Sequence, residues 1–196
     1  MNSKPIIEHF AKYSPLDEAE IKDLEARLIE KNIRRKQYLL QEGDVCKHYT
    51  FVVKGCFKMY KVDKKGNEHN LQFAIENGWI GDIGSFHSEE PSELWIEAVE
   101  PSVILQIEKS DLIYLYIHYI NFNRNFRVLV ENAFVNLQKR VLQNISFSAE
   151  EKYADFLQYN PALFNRLSNV QIASYLGVTP EFLNKIRNKM AKKTKS

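Results

Sequence analysis

Six of the chain's seven glycines, at positions 43, 55, 66, 78, 81 and 84, fall within one stretch of short β-branched and aromatic runs. Between Arg34 and Glu108 these runs read "QYLLQEG", "YTFVVKG", "FKMYKVD", "NLQFAI", "LWIEAV" and "VILQIE". Glycine at this spacing lets an extended chain reverse repeatedly, so the stretch predicts a compact antiparallel β-roll or barrel. "KVDKKGNEH" has the charged, glycine-containing composition of a hairpin tip.

Helical periodicity flanks the roll on both sides. Residues 16–31, "LDEAEIKDLEARLIEK", place Ile21, Leu24 and Leu28 on one stripe opposite charges and predict an amphipathic helix. After "EKSD", where Ser110 is in position to cap a helix, the four-residue rhythm returns. Phe126, Val130, Phe134, Leu137, Val141 and Ile145 form one apolar stripe, with Arg124, Arg127, Glu131, Lys139 and Arg140 around it. That stripe can cover the roll or form the seam of a dimer. A helix long enough to link two modules outruns the surface either can offer, which favours the seam. "SFSAEEKYADFLQY" predicts a further helix starting at a Ser146 or Ser148 cap, with Glu150 and Glu151 in its first turn and Asn160-Pro161 as its end.

Composition narrows the chemistry. A chain of 196 residues accommodates two modules and needs no covalent staple to bury a core. Cys46 and Cys56 are read as reduced thiols, since no C-x-x-C pair exists to hold zinc or an iron–sulfur cluster. With neither a leader-like start nor a long apolar run, the expectation is a soluble cytoplasmic protein without membrane contact. His48, His69 and His87 are scattered singly, and no H-x-H, H-E-x-x-H, nucleophile elbow or P-loop occurs. A cupin-like metalloenzyme is therefore disfavoured, and the expectation is no enzyme, no catalytic residue and no metal.

The net charge of +2 is unevenly spread: from Pro161 onward there are seven Lys/Arg and one acid, Glu181. That end attracts polyanions. It contains "NVQIASYLGVTPEFLNKIRNKM", residues 169–190, in which one glycine divides two apolar-periodic runs. Ala173 is small where a second helix crosses, Gly177 suits a left-handed inter-helix turn, and Thr179-Pro180 reads as a hydroxyl cap followed by proline at the first helical position. Winding the second helix puts Leu183, Ile186 and Met190 inward. Glu181, Asn184, Lys185, Asn188 and Lys192 then face out, a short hydrogen-bonding surface suited to base edges, with Arg187 and Lys189 flanking it near phosphates. A plain helical hairpin with a solvated polar face is the competing reading. The combined signals favour a DNA-binding helix-turn-helix.

A β-roll, a long helix and a helix-turn-helix in this order resemble the Crp/Fnr family of bacterial transcription regulators, in its short forms that end soon after the recognition helix. The resemblance rests on "YTFVVKGCFKMYKVDKKGNEHNLQFAIENGWIGDIGSF" and on "IASYLGVTPEFLNKIR". It implies an α+β protein: an antiparallel double-stranded β-helix, a jelly-roll-like sensor domain over residues 1–120, a long dimerisation helix at 121–145, and an all-α helix-turn-helix domain at 146–196. It further implies a homodimer that binds double-stranded DNA, with RNA polymerase and a small effector as further partners. Glu181 falls where family members commonly read bases, and Lys185 where an arginine usually does. Pro180 replaces an arginine of the cyclic-AMP receptor protein, so that protein's target is not carried over. With no wing expected after the recognition helix, the final lysines are expected to hold the DNA backbone, and Thr179 completes the expected DNA-binding set.

Nucleotide-binding relatives hold the phosphate with a Gly-Glu pair and an Arg-Ser/Thr pair. Gly81-Asp82 matches the first with a shorter acid, and Pro91-Ser92 stands in place of the second, so Gly81, Asp82 and Ser92 mark the expected ligand pocket. No Lys or Arg occurs from Gly66 to Glu108, against nine acids. A phosphate there meets a negative field, so the roll is expected not to use cyclic AMP and to have no cofactor, leaving either a different effector or a packed structural pocket. The alternative for the whole chain is a small-molecule sensor or protein-interaction module with a degenerate helix-turn-helix.

Overall fold

The computed structural model describes residues 1–193, with side chains described as far as Met190. The chain forms two compact units, one of Met1–Tyr60 with Gln72–Phe134, the other of Lys61–Leu71 with the chain from Val135 onward.

The first unit opens with helices α1 (Lys4–Ala11) and α2 (Glu18–Arg27). Asp17 caps α2 and shares a reciprocal capping box with Glu20. The helix expected over 16–31 therefore ends four residues early. At Leu28 the backbone turns extended and leads into strand β1 (Ile29–Ile33). The roll continues through β2 (Tyr38–Leu40), β3 (His48–Lys54), β4 (Phe57–Val62), β5 (Glu68–Ala74) and β6 (Trp79–Ile80). A short helix α3 (Ile83–Ser88) precedes β7 (Trp95–Ala98) and β8 (Ser102–Glu108). Two four-stranded sheets result, in the orders β1-β8-β3-β6 and β2-β7-β4-β5. Every described pairing in them is antiparallel.

Alternation along β3 decides what each face of the roll does. Tyr49 stacks on Trp79 and Phe51 meets it edge-on, and around them Phe10 of α1 joins Trp79 and Phe126 in one aromatic cluster. Thr50 and Val52 take the opposite face. Gly55 holds the tight β3–β4 turn at φ +110°, where a Cβ would run into Ser102.

Helix α4 (Lys109–His118) begins after Glu108 rather than at a Ser110 cap, and Ser110 lies inside it. Then comes α5 (Ile120–Ser146), 27 residues long. Its first turns belong to the roll's core: Phe122 and Phe126 are buried, and Asn125 exchanges hydrogen bonds with the Ser14 backbone at 3.1 and 2.7 Å. Phe126, expected on the seam stripe, thus packs in the core instead.

The second unit contains the rest of α5, α6 (Ala149–Tyr159), α7 (Pro161–Phe164), α8 (Asn169–Leu176) and α9 (Pro180–Lys193). Of the two caps open in sequence, Ser148 is the one used, in a capping box with Glu151. Tyr153, Phe156, Leu163 and Leu167 join Ile172, Ala173, Leu176, Leu183 and Ile186 among its buried residues.

Candidate nucleic-acid interface

The geometry of α8 and α9 follows from a few local choices. Ser168 caps α8 and forms a capping box with Gln171. Gly177 ends it in the left-handed region at φ +70°, donating to the carbonyls of Ala173 and Ser174. The next amide, that of Val178, reaches the Ala173 carbonyl at 3.0 Å and closes the helix end. Thr179 Oγ1 accepts from the Phe182 amide at 3.2 Å, so α9 starts with a hydroxyl cap and Pro180 as its first residue. Ala173 and Leu183 are fully buried, and Ile186 nearly so.

The expected contact residues fall into two groups. Glu181, Lys185 and Asn188 are exposed on one side of α9, and among the described residues none has a side-chain partner. The others are engaged. Asn184 accepts from Asn169 Nδ2 at 3.1 Å, and Lys189 pairs with Glu150 at 2.7 Å. Arg187 is half-buried, donates to Asn169 Oδ1 and lies over the Phe164 ring at 5.1 Å. It sits one turn beyond Leu183, which is why the helix turns it toward the core. The side chain of Lys192 and all of residues 194–196 lie outside the described residues.

The hairpin tip at Lys61–Leu71 packs on α8. Ser174 Oγ donates to the Glu68 carbonyl at 2.5 Å and accepts from the Asn70 amide at 3.0 Å. Asn70 Nδ2 reaches the Gln171 carbonyl at 3.3 Å, while Arg140 of α5 donates to the Asn70 carbonyl at 2.9 Å and stacks on Tyr175. The turn itself is organised by Asp63, whose carboxylate takes His69 and the amides of Lys65 and Asn67; these hold its pKa well below the usual carboxylate range, the His69 bond most of all. Sequence periodicity carries no sign of this long-range clamp. The only hint is a serine on an otherwise apolar-periodic helix.

From Val130 onward the α5 stripe is uncovered in the chain by itself: Val130, Phe134, Leu137, Val141 and Ile145 are all exposed, Phe134 at 59% and Ile145 at 79%. Leu142 extends the patch. So continuous an apolar surface on one helix is what a partner normally covers.

In the roll, Gly81, Asp82 and Ser92 come together as expected, but their polar groups serve each other. Asp82 Oδ1 caps α3 through the Ser85 amide at 3.3 Å, and Asp82 Oδ2 accepts from Ser92 Oγ at 2.6 Å. The Ser92 backbone bonds Gly43 and Asp44, each at 2.8 Å. His48 lies near Glu108, His69 on Asp63 and His87 beside Phe86. Among the described residues no three His, Cys, Asp or Glu gather into a metal site, and no helix is long and apolar enough to cross a membrane.

Residues 30–119 match the family model of the cyclic nucleotide-binding domain. Over its length the chain is similar in structure to FixK2 from Bradyrhizobium japonicum, with a TM-score of 0.74 and 17% identity over 85% of this chain and 86% of that one. It is similar also to CLP, a c-di-GMP-responsive global regulator from Xanthomonas campestris, with a TM-score of 0.72 and 13% identity over 91% and 93% of the two chains. A Crp/Fnr-family protein from Eubacterium rectale gives 0.71 and 16% over 91% and 85%. No curated protein sequence matches. The chain thus carries a cyclic nucleotide-binding-type roll and has the Crp/Fnr regulator fold.

Proposed function

We propose that this protein is a dimeric, sequence-specific DNA-binding transcription regulator whose roll does not use cyclic AMP. The observation that carries the reading is the outer face of α9: an acid, a lysine and an amide, all exposed and without partners among the described residues, on a helix whose other face is locked into a capped, glycine-turned hairpin. A helix placed in a major groove needs such a face. Glu181 is assigned to a cytosine amino group, Lys185 to guanine and Asn188 to adenine, with Asn184 joining them when released from Asn169.

The uncovered stripe of α5 supports a homodimer, which would set two α9 helices on a two-fold symmetric site. Against cyclic AMP stand the mutual pairing of Asp82 with Ser92 and the lack of any Lys or Arg from Gly66 to Glu108. A phosphate group would have to break the first without a cation in return.

Selection of bound sequences from random duplexes tests the reading. The expected result is an enriched site made of two inverted half-sites about one helical turn apart. Enrichment of a single unrepeated element, or none, would contradict it.

A further inference from the structure

Helix α1 packs on β3 and on the root of α5. Phe10, fully buried, meets Trp79, Phe122 and Phe126 at ring-centre distances of 6.1, 5.6 and 5.8 Å. Just past the helix, the Ser14 backbone and the Asn125 side chain bond each other in both directions, and Ser14 Oγ donates to Asn121 Oδ1 at 3.2 Å. The first two turns of α5 are therefore braced from α1 and the turn that follows it.

One residue of this brace is out of keeping with the rest. His9 lies between Tyr13 and Phe51, its ring centre 5.9 Å from the first and 5.6 Å from the second. Both of its ring nitrogens are buried, and among the described residues neither has a hydrogen-bond partner. A neutral imidazole leaves one donor and one acceptor unmet there, whereas a protonated one would leave two donors and a charge. On α1 the groups beside it are Tyr13 and Lys12, which repels a positive ring, while Glu8 is exposed and turned to Lys4. On β3 they are Phe51 and then Tyr49, whose hydroxyl burial pushes up to about 12, with His48 and Lys54 at the ends of the strand. Arg124 and Arg127 of α5 are exposed. Burial first, and Lys12 second, accordingly hold the His9 ring below its ordinary 6.5.

Detached from β3, the same ring is hydrated and takes up its proton at the ordinary value. The free form of α1 thus gains a proton that the packed form refuses. It is favoured as the pH falls below about 6.5, by roughly tenfold between pH 7 and pH 5.5.

We propose that α1 is an acid-released strap: with His9 neutral it closes the aromatic cluster and braces the root of α5, and protonation of His9 frees α1 and slackens that root. The rest of the roll stays folded, held by the β3–β8 ladder. The device depends neither on a ligand in the roll nor on DNA reading by α9.

Amide hydrogen exchange of the full chain, corrected for the intrinsic pH dependence of exchange, tests it. The reporters are the amides of Tyr13 and Ser14, bonded to the Phe10 carbonyl and to Asn125 Oδ1. Between pH 7 and pH 5.5 their opening constants should rise together by about tenfold, with the amides of the β3–β8 ladder unchanged. His9→Phe, which keeps a buried ring that takes no proton, should abolish the rise, and His48→Gln should retain it. Proton resonances of the His9 ring in the parent protein should titrate over the same range as the opening, a measurement that decides the matter even if His9→Phe fails to fold. A corrected opening constant independent of pH, a rise that survives in His9→Phe or is lost in His48→Gln, protonation of His9 without opening, or an equal rise in the β3–β8 ladder would overturn the proposal.

Discussion

The loop at residues 81–92 and the outer face of α9 carry similar chemistry, short acids and hydroxyl or amide groups, but differ in what those groups already hold. In the loop, Asp82 takes the Ser85 amide on one oxygen and the Ser92 hydroxyl on the other. On α9, Glu181, Lys185 and Asn188 hold nothing among the described residues. Residue type alone therefore does not mark a binding site. Hydrogen-bonding capacity left unspent does, because a group already satisfied must lose one partner to gain another. The apolar counterpart of this rule singles out α5 beyond Val130.

The largest expected effect lies on that apolar face. Leu137→Glu places a charge in the centre of the exposed α5 patch, where the chain alone tolerates it and a helix partner does not. Sedimentation should show the parent protein as a dimer and the variant as a monomer, with association weakened by about 3 kcal/mol, on the order of a hundredfold. Unchanged association would remove α5 from the interface and leave its apolar patch without a role.

A smaller effect tests the loop. Ser92→Ala removes the hydroxyl from Asp82 and from the Leu94 amide, which bonds it at 3.0 Å, and should cost about 1–3 kcal/mol in chemical denaturation. Cyclic AMP should still fail to bind, since no cation is gained. A variant that becomes a cyclic AMP binder would mean that the hydroxyl alone had closed the loop.

The smallest effect is on pH. Burial, more than any neighbouring charge, lowers the pKa of His9 and of His48 from the ordinary 6.5. Below that value the unfolded chain takes up protons that the fold resists, so stability is kept above about pH 6.5 and declines as the pH falls through it. Asp63 acts in the same direction but in a lower window: its lowered pKa gives support that is present above 3.8 and lost only in stronger acid. Thermal midpoints between pH 8 and pH 5 should therefore fall on the acid side, and His48→Gln should flatten part of that fall. A flat profile would contradict the burial of these rings.

Local signals made much of this molecule legible from its sequence. The glycine spacing announced the roll, four-residue steps announced α5, and Gly177 with Thr179-Pro180 announced the helix pair almost to the residue. What escaped was set by distance or brevity. β1 is a largely polar strand that continues the rhythm of the preceding helix, β6 has two residues, and α1 offers only "KPIIEHFA". The partnership of Thr50 with Gln106 depends on a register between strands 56 positions apart, which no local pattern encodes. Arg187 was within reach of helical geometry, since its place one turn after Leu183 turns it inward. Asn169, which holds it, comes from the other helix of the pair.

The central claim, that the unspent face of α9 reads DNA, is tested most directly by the affinity for a selected duplex as a function of salt, measured for the parent protein and for Lys185→Glu. Lys185 is exposed and holds nothing that folding needs, so the variant should fold normally. The account predicts a steep linear fall of log affinity with log salt for the parent, and for the variant a loss of about tenfold or more at low salt with relaxed preference at one base pair per half-site. A shallow salt slope, or equal binding by the two proteins, would contradict it.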